Sequence, residues 1–263
     1  MMWDDDLQLA MQLADLADQI SLSYFRSSHL IVDKKSDDSD VSLADREVEI
    51  ALRKHLASAR PHDAIVGEEF GAGDVISTRR WVLDPIDGTT RYLRGIPLFA
   101  SLIALEQDGD SVLGVASAPA LKRRWWAARG LGAFVDGRPI RVSAISKLGE
   151  AHLSLGNPGN WLPGGQFKRL GLLSDRAGST TGYGDFWPHM LVAEGAAEAA
   201  IEPSAALWDL APLKVIVEEA GGRFTDFTGV STAAGQSAIS SNSIVHDELV
   251  QLLKDDLDNS SYN

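Results

Sequence analysis

The sequence predicts a layered α+β fold, in which helices come first, strands follow, and mixed elements end the chain. Near the N-terminus, apolar residues recur at helical spacing. In the middle, several strand-like runs are separated by Gly and Asp turns. Helical patterns then alternate with short apolar runs. We therefore expect one domain over residues 1–263, with two closely packed lobes at about 1–145 and 146–257 and a frayed tail at 258–263.

Two amphipathic helices are predicted in the first part of the chain. The stretch "DDDLQLAMQLADLADQISLSYF" begins with acids that suit a helix start, and Pro61 ends the second stretch, "LADREVEIALRKHLASARP". The predicted buried faces are Leu7, Met11, Ala14, Ala17, Ile20 and Tyr24 in the first helix and Val48, Ala51, Leu52 and Leu56 in the second. Between them, "HLIVDKKSDDSDVS" predicts a short strand and a charged loop. After them, "AIVGEE" predicts a buried strand that runs into two glutamates.

The middle of the chain, "LFASLIALEQDGDSVLGVASAPALKRRWWAARGLGAFVDG", predicts several strands, with a hairpin turn at "EQDGDS". Further on, "GGQFKRLGLLSDRAG" predicts a helix, and "DFWPHMLVAEGAAEAAI" predicts a helix and then a strand. The stretch "ALWDLAPLKVIVEEAGGRFTDFTG" predicts a helix from about Asp209, closed by Gly221 and Gly222, before another strand. Finally, "SAISSN" predicts a strand and "IVHDELVQLLKDDL" a helix.

Charge and composition exclude several classes of function. The net charge is −13, from 24 basic and 37 acidic residues, whereas binding to nucleic acid or an anionic membrane requires an excess of Lys and Arg. The chain contains no Cys, which excludes disulfides and Cys-based metal sites. The N-terminal "MMWDDDLQLA" is acidic where a signal peptide is basic, and no apolar run approaches the roughly 20 residues of a transmembrane helix. We therefore expect a soluble cytoplasmic protein.

The stretch "WVLDPIDGTTRYLRG", residues 81–95, predicts a site for a divalent cation and an anion together. Asp84 and Asp87 follow an apolar run and lie on either side of a predicted turn at Pro85, so both can face the same ions. Mg²⁺ prefers oxygen ligands from a few carboxylates, with water and substrate phosphate completing its coordination. Further carboxylates at the ends of apolar runs or at helix boundaries are Asp45, Glu68, Glu69 and Asp209.

Gly88, Thr89 and Thr90 supply the second half of this predicted site. Backbone N–H groups at a glycine turn that enters a helix bind anions, and Gly88 allows the backbone to approach closely. The Thr89 hydroxyl could contact a water nucleophile or a phosphate oxygen.

Each of these acids alone also has a structural interpretation. An isolated Asp-x-x-Asp-Gly stretch is typical of a surface turn, and Glu68 with Glu69 is typical of a solvated loop. Asp209 alone is typical of an N-cap, with Pro212 in the first turn, and Asp45 alone is typical of a helix-start acid. Their coincidence in one chain favours the metal-site interpretation.

The order and spacing of four motifs resemble the inositol monophosphatase superfamily of Mg²⁺-dependent phosphatases. The motifs are "GEE" at 67–69, "WVLDPIDGTT" at 81–90, "WD" at 208–209 and "EEAGG" at 218–222. The resemblance covers about residues 5–255. It implies a layered αβαβα sandwich and the hydrolysis of a small phosphate monoester.

The same resemblance implies roles for individual residues. It implies two to three Mg²⁺ ions: one held by Glu68, Asp84 and the Ile86 carbonyl, a second by Asp84, Asp87 and Asp209, and a weaker third at Glu68 through waters. The implied catalytic residues are Asp45, Glu68 and Thr89, with Asp45 and Thr89 orienting the attacking water. The implied substrate-binding residues are Asp87, Gly88, Thr89, Gly184, Asp185, Glu202 and Asp209.

The substrate is not selected by the metal motif. "GYGDFW" at 182–187, with "SAPALKRRWWA" at 117–127 and "TTRYLRG" at 89–95, resembles the histidinol-phosphate phosphatase branch, which implies a step of histidine biosynthesis. Histidinol phosphate carries an ammonium and an imidazole, and Asp185 and Glu202 suit a cation better than a polyol. The chain departs from the family pattern at Arg91 and Tyr92, where Asn-Phe is often found.

Four residues near this region keep open interpretations. Asp185 fits a helix N-cap as well as a ligand contact. His189 is typical of a satisfied packing residue. Asn157 and Trp161 could reach an imidazole ring, but we favour a role in holding the Gly/Pro loop "GNPGNW".

The function predicted first is a Mg²⁺-dependent histidinol-phosphate phosphatase. The alternative is an inositol monophosphatase or a broad-specificity sugar-phosphate phosphatase. A non-catalytic metal- or phosphate-binding protein of the same fold is disfavoured, because none of the implied acids is replaced. The resemblance also implies a homodimer, and we expect its contact in the apolar strands between Leu98 and Ala128.

Overall fold

The computed structural model describes residues 3–28, 30–34, 40–162 and 166–255. The predicted tail at 258–263 and the middle of the predicted charged loop, residues 35–39, lie outside the described residues. The α-helices are α1 Asp4–Tyr24, α2 Leu43–Ala59, α3 Thr89–Leu93, α4 Phe167–Arg176, α5 Phe186–Ala193, α6 Leu207–Glu219 and α7 His246–Asp255. The β-strands are β1 Val32–Lys34, β2 Asp40–Ser42, β3 Ala64–Gly67, β4 Gly71–Ala72, β5 Arg79–Asp87, β6 Ala100–Gln107, β7 Asp110–Ala118, β8 Arg123–Ala128, β9 Gly132–Val135, β10 Arg138–Ile140, β11 His152–Ser154, β12 Ser179–Thr181, β13 Ala199–Glu202, β14 Arg223–Thr225 and β15 Ala238–Ser241.

Two larger sheets organise these elements. The first has eight strands in the order β10-β9-β8-β7-β6-β5-β3-β4, and the β3–β5 pair is its parallel one. From β5 to β10 each strand pairs antiparallel with the next. Short connections join these strands, except that residues 88–99 with α3 link β5 to β6. The second sheet has five strands in the order β12-β11-β13-β15-β14 and mixes parallel with antiparallel pairs.

Helices cover both faces of each of these sheets. Helices α1 and α2 pack on one face of the eight-stranded sheet. Helices α5 and α6 fill the space between the two sheets, and α4 and α7 cover the outer face of the five-stranded sheet. The layers therefore run αβαβα, and the predicted fold class is confirmed. The division into lobes near residue 145 stays a prediction.

Helix α1 buries only part of the predicted face: the prediction is confirmed for Ala14 and Ala17, and the centre of the buried stripe lies beside the other predicted residues. Its buried apolar residues are Leu9, Ala10, Leu13, Ala14 and Ala17. Leu7, Met11 and Ile20 are only partly buried at the border of the same cluster. The small side chains of Ala10, Ala14 and Ala17 allow α1 to lie close to the sheet, so these residues form the centre of its buried face. In α2 the prediction is confirmed for Val48, Leu52 and Leu56, which are all fully buried.

Helix α6 lies between two sheets and is therefore apolar around most of its circumference. It begins at Leu207, two residues before the predicted start, and Pro212 lies in its second turn rather than its first. Gly114 of β7 allows the close contact, because a Cβ atom there would lie 2.4 Å from the carbonyl oxygen of Pro212. This packing fixes the first turns of α6 against the sheet whose strand β5 carries the acidic motif.

The strands between Leu98 and Ala128 are not available as a dimer contact in the way we expected. Leu102, Ile103 and Val115 are fully buried inside the chain, between α1 and α2 on one side and α5 and α6 on the other. That part of the expectation is wrong, because an apolar run in a central strand is explained by helices on both faces. None of the helices within the described ranges combines the length and hydropathy that a bilayer span requires.

Candidate active site

A β-bulge brings Asp84 and Asp87 to the same side of strand β5. In a regular strand, residues three apart point to opposite faces. Here Asp84 pairs with Leu102 and Asp87 with Ala100, so three steps along β5 match two along β6. The extra residue reverses the alternation, and Pro85 lies within the bulge, one of the few sheet positions that tolerate proline. The predicted turn at Pro85 is therefore wrong, but the two carboxylates still face the same side, as the turn would have placed them.

Asp209 completes an acidic cluster with these two residues. One carboxylate oxygen each from Asp84, Asp87 and Asp209 lies within 4.8 Å of the others. Asp209 is the third residue of α6 rather than its N-cap, and its Oδ2 accepts a hydrogen bond from the backbone N–H of Ala206 at 2.8 Å. This bond orients the side chain back toward the helix start, where the sheet ends.

The electrostatics of the cluster fit a bound cation. Burial, followed by the charge of Glu68, raises the pKa of Asp84 well above its usual range. Burial and the charge of Asp209 likewise raise the pKa of Asp87, although its Oδ2 accepts a 2.6 Å hydrogen bond from the N–H of Phe186. The Oδ1 atom of Asp84 is buried without a hydrogen-bond partner among the described residues. A divalent cation would satisfy this oxygen and neutralise the repulsion, so the residues fit the implied metal.

Glu68 and the Ile86 carbonyl lie at the edge of this cluster. Strands β3 and β5 run parallel with Gly67 opposite Leu83, and the N–H of Glu68 donates to the Leu83 carbonyl at 3.1 Å. Glu68 therefore follows β3 at the level where Asp84 follows Leu83. The Ile86 carbonyl accepts a 2.9 Å hydrogen bond from the Thr89 hydroxyl and keeps a second lone pair.

Asp45 lies in the first turn of α2 and faces Thr89. Its Oδ2 accepts hydrogen bonds from the backbone N–H and the hydroxyl of Ser42, at 2.8 and 2.6 Å. Its Oδ1 is 3.3 Å from the Thr89 hydroxyl. Burial raises the pKa of Asp45, and the charge of Glu68 adds to this increase, whereas the bonds from Ser42 oppose it. Asp45 is thus both a capping acid, as its position predicts, and a neighbour of the acidic cluster.

Gly88 marks the end of β5 and the start of α3. Its backbone is left-handed, with φ 84° and ψ 33°, and a Cβ atom would lie 3.0 Å from the Leu98 carbonyl oxygen and 3.1 Å from Asp185 Oδ2. Glycine is therefore required here for both conformation and space. Helix α3 begins at Thr89, as the sequence predicts.

A cavity of about 540 Å³ opens above these residues. It is lined by Asp40, Glu68, Gly88, Thr89, Thr90, Arg91, Arg94, Asn157, Asn160, Gly184, Asp185 and Glu202. The cavity therefore joins Glu68 and the predicted anion groups to the predicted substrate residues from the distant "GYGD" segment, and a smaller cavity beside it joins Asp87 and Asp209 to Asp185 and Glu202. Asp40, Arg94 and Asn160 were not identified from the sequence, because no motif marks them.

Glu202 ends strand β13 inside this cavity. Its Oε1 accepts a hydrogen bond from the Asn160 side chain at 3.1 Å. Gly156 leaves the space that the carboxylate occupies, because a Cβ atom there would lie 2.5 Å from Glu202 Oε2. Burial raises the pKa of Glu202 to about 7, and the charge of Asp209 adds to the increase.

Asp185 is held by an ion pair with Arg91. It occupies the N-cap position of α5, but its side chain makes no capping hydrogen bond, and the Asp87 carboxylate caps this helix at Phe186 instead. The N-cap interpretation of its side chain is therefore wrong. The backbone of Asp185, at φ 60° and ψ −154°, lies in a region that favours glycine and that clusters at functional sites. Its carboxylate pairs with the Arg91 guanidinium, which also lines the cavity.

The remaining residues with open interpretations make structural contacts, although Asn157 also lines the cavity. The Asn157 side chain accepts a 3.0 Å hydrogen bond from the N–H of Gly159, and the buried Trp161 indole donates to the Leu155 carbonyl, so both hold the loop. His189 is buried, with its Nδ1 2.6 Å from the Ser240 hydroxyl. Tyr92, one of the two residues that depart from the family pattern, is buried against Phe25 and Phe99.

Sequence comparison identifies the family that shares this arrangement. The model of the inositol monophosphatase family matches residues 2–257. The chain belongs to this family. The family assignment agrees with the αβαβα layers and with the acidic cluster at the end of β5.

Several known proteins resemble the chain over nearly its whole length. A histidinol-phosphatase from Mycobacterium tuberculosis is 47% identical over 254 residues, covering 95% of this chain and 98% of that protein. A histidinol-phosphatase from Streptomyces coelicolor is 42% identical, covering 95% and 97%. Among solved structures, the extragenic suppressor protein SuhB from Bartonella henselae superposes with a TM-score of 0.89 at 31% identity, covering 96% of this chain and 99% of that one.

Proposed function

We propose that the protein is a Mg²⁺-dependent phosphatase that hydrolyses L-histidinol phosphate to L-histidinol and phosphate. The observation that carries this proposal is an acidic cluster fit for cations, of which Asp87 and Asp209 line a small cavity together with two further acids, Asp185 and Glu202. The name of the 47% identical relative from Mycobacterium tuberculosis, histidinol-phosphatase, supports the same substrate.

The residues that would hold Mg²⁺ are those of the acidic cluster and its edge. They are Glu68, Asp84, Asp87, Asp209 and the carbonyl of Ile86. When bound, the ions would neutralise the charge that spreads over the phosphoryl oxygens and lower the pKa of a bound water. We propose two to three ions for one active site.

Asp45 and Thr89 would orient the attacking water. The Thr89 hydroxyl has one proton to donate, and the Ile86 carbonyl at 2.9 Å and Asp45 Oδ1 at 3.3 Å compete for it. A water that donates to the Thr89 oxygen would leave that proton directed at one of these acceptors. Asp45, held in place by Ser42, would in this way fix the orientation of the Thr89 hydroxyl. The Thr89 oxygen would in turn orient the water so that its lone pair points toward phosphorus.

Glu202 and Asp185 would bind the cationic end of the substrate, while Gly88 and Thr89 contact its phosphate. Asp185 already pairs with Arg91, so a substrate ammonium would share this carboxylate with a guanidinium. Glu202 is the more buried acid, and ionisation of its carboxylate costs more without a cation nearby. An arriving ammonium or imidazolium would therefore be expected to interact most strongly at Glu202.

The experiment that tests the proposal is phosphate release from a panel of phosphate esters with Mg²⁺, with EDTA as the control. Histidinol phosphate should be hydrolysed fastest, and chelation should stop the reaction. Inositol 1-phosphate tests the alternative, since an inositol-1-monophosphatase from Mesorhizobium japonicum is 34% identical to the chain. Faster release from the inositol ester would replace the proposed substrate by that alternative.

We also propose that the protein forms a homodimer in the cytoplasm. Its contact would have to use surfaces other than the buried strands between Leu98 and Ala128. A monomer mass by light scattering across working concentrations would contradict the dimer.

A further inference from the structure

Glu49 is a buried carboxylate that the proposed chemistry does not use. Its side chain is fully buried in the middle of α2. It points at the end of β3, where a Cβ atom on Gly67 would lie 2.2 Å from Glu49 Oε1. Glycine at 67 therefore makes room for this carboxylate directly before Glu68.

The carboxylate of Glu49 binds the turn that follows Glu68. Its Oε2 accepts a hydrogen bond from the N–H of Glu69 at 2.7 Å, and its Oε1 accepts one from the N–H of Phe70 at 3.3 Å. Arg53, one helical turn further along α2, donates to Oε1 at 2.7 Å and also donates to the carbonyl of Gly71. Both oxygens thus have partners, which a buried charge requires.

These contacts fix the backbone on both sides of the Glu68 side chain. On one side, the N–H of Glu68 is bonded to the Leu83 carbonyl of β5. On the other side, the next two N–H groups are bonded to Glu49 of α2. The distance between Glu68 and Asp84 is therefore set by the packing of α2 on the sheet, and not by the turn alone.

The same helix also carries Asp45. Asp45 and Glu49 are four residues apart in α2 and therefore lie on the same face. Asp45 contacts the Thr89 hydroxyl, and Glu49 contacts the turn after Glu68. One rigid element thereby aligns the group that would orient water with the group that would hold a cation.

We propose that Glu49 is a positioning residue, which sets the Glu68 carboxylate in place for binding Mg²⁺. This inference rests on the proposed function, because the role of Glu68 as a Mg²⁺ ligand is itself part of that proposal. Arg53 acts with Glu49, as it neutralises the buried charge and holds the far end of the turn.

The test is Glu49→Gln, which preserves shape but replaces one acceptor oxygen by a donor. The N–H of Glu69 or Phe70 then loses its acceptor. We expect the Mg²⁺ concentration for half-maximal activity to rise about tenfold or more, the range seen when groups supporting a metal ligand are changed. The kcat at saturating Mg²⁺ should stay within about twofold of wild type, since the reacting groups are intact.

Two further measurements separate positioning from a loss of folding. Mg²⁺ binding by calorimetry should weaken in parallel with the kinetic midpoint, and hydrogen exchange at Glu69 and Phe70 should accelerate. Glu47→Gln is the matched control, because Glu47 lies on the exposed side of α2 and bonds the Tyr24 hydroxyl at 2.9 Å. If Glu49→Gln does not fold, Arg53→Met should show the same shift of the Mg²⁺ midpoint.

An unchanged Mg²⁺ midpoint and affinity in a folded Glu49→Gln protein, or in Arg53→Met if that variant is needed, would overturn the positioning role. A fall in kcat without a shift in the Mg²⁺ midpoint would also overturn it. If the wild-type protein itself binds no Mg²⁺, the proposed function fails first and the positioning role with it.

Discussion

Asp84 is a fully buried carboxylate beside other acids, and one of its oxygens has no hydrogen-bond partner among the described residues. Such a group is costly in a folded protein unless a cation accompanies it. The sequence shows that Asp84 and Asp87 follow an apolar run, but it does not show the unpaired oxygen. Whether Asp84 Oδ1 finds a hydrogen-bond donor depends on which groups the fold places beside it.

Replacing Asp84 by Asn should lower kcat/KM by about a thousandfold or more, because the charge shared between the proposed ion sites disappears. The metal-free variant should nevertheless melt at a higher temperature than metal-free wild type, since one repelling charge is gone. Kinetics and thermal unfolding with EDTA measure the two effects. Asp108→Asn, in the exposed turn after β6, is the matched control. Full activity of Asp84→Asn would contradict the proposed mechanism.

Glu202→Gln and Asp185→Asn should each lower kcat/KM for histidinol phosphate. A hydrogen bond to a charged group contributes about 1.5–3 kcal/mol, which corresponds to roughly a tenfold to hundredfold loss. Glycerol phosphate has no cationic end, so its slow hydrolysis should barely change. Equal losses on both esters would show that these acids serve the cations or the fold, and no loss would place the amine elsewhere.

The effect of Glu202 should also depend on pH. Its pKa is raised to about 7, so the carboxylate becomes charged as the pH rises through that value. The ratio of kcat/KM between wild type and Glu202→Gln should therefore rise with pH across this range. A ratio that is flat from pH 6 to pH 8 would exclude an ionised Glu202 as the cation ligand.

Among the elements, strand β5 and helix α6 illustrate what the sequence could predict. Apolar runs indicated the type of both elements, but the continuation of β5 through the acids to Asp87, where a turn was predicted, required tertiary structure. The bulge after Asp84 has no signature in a period-2 pattern, although Pro85 in a central strand was an available signal. The start of α6 at Leu207 depends on the sheet that packs against it. The Arg91–Asp185 pair joins distant segments, and no local pattern predicts it.

The packing of α7 against β14 and β15 should make stability sensitive to acid. His246 is fully buried, with its two ring nitrogens 3.0 Å from the Thr225 hydroxyl and 2.8 Å from the Ser241 hydroxyl. Burial lowers its pKa to about 4, against about 6.5 in the unfolded chain. The unfolded chain therefore takes up a proton at His246 more readily than the folded chain does. The contribution of His246 to stability is complete above pH 6.5 and is lost as the pH falls toward 4.

Urea unfolding should therefore show about 2 kcal/mol less stability from His246 at pH 5 than at pH 7.5. His246→Gln should have lower stability at pH 7.5 but a correspondingly weaker dependence on pH. His62→Gln, on the exposed loop before β3, is the control. An identical pH dependence in His246→Gln and wild type would refute this assignment.

On the scale of the whole molecule, the acidic cluster should couple metal binding to folding. The chain already carries a net charge of −13, and the buried acids add repulsion at the junction of the two sheets. A ligand that binds only the folded state stabilises it by about 2.7 kcal/mol at a hundred times its Kd. Mg²⁺ should therefore raise the melting temperature of wild type but not of Asp84→Asn, and an equal increase in both would argue against a specific site.

The layered architecture follows largely from sequence patterns and family resemblance, whereas the specificity of the cavity does not. Three residues shape the surroundings of Glu202: Asn160 donates a hydrogen bond, Arg91 supplies a positive charge, and Gly156 leaves space. In the sequence, each of them is an ordinary loop or helix residue. Their roles arise because the end of β13 and the loop after β11 face helix α3 across the cavity.

We propose that the active site combines a cation-dependent phosphate site with a site for a cationic leaving group. The most direct measurement is kcat/KM of the purified protein at saturating Mg²⁺ on histidinol phosphate and on inositol 1-phosphate. We expect at least about a tenfold preference for histidinol phosphate, the value of one charge-assisted hydrogen bond, and no phosphate release in EDTA. Equal or greater efficiency on the inositol ester, or release that persists in EDTA, would contradict it.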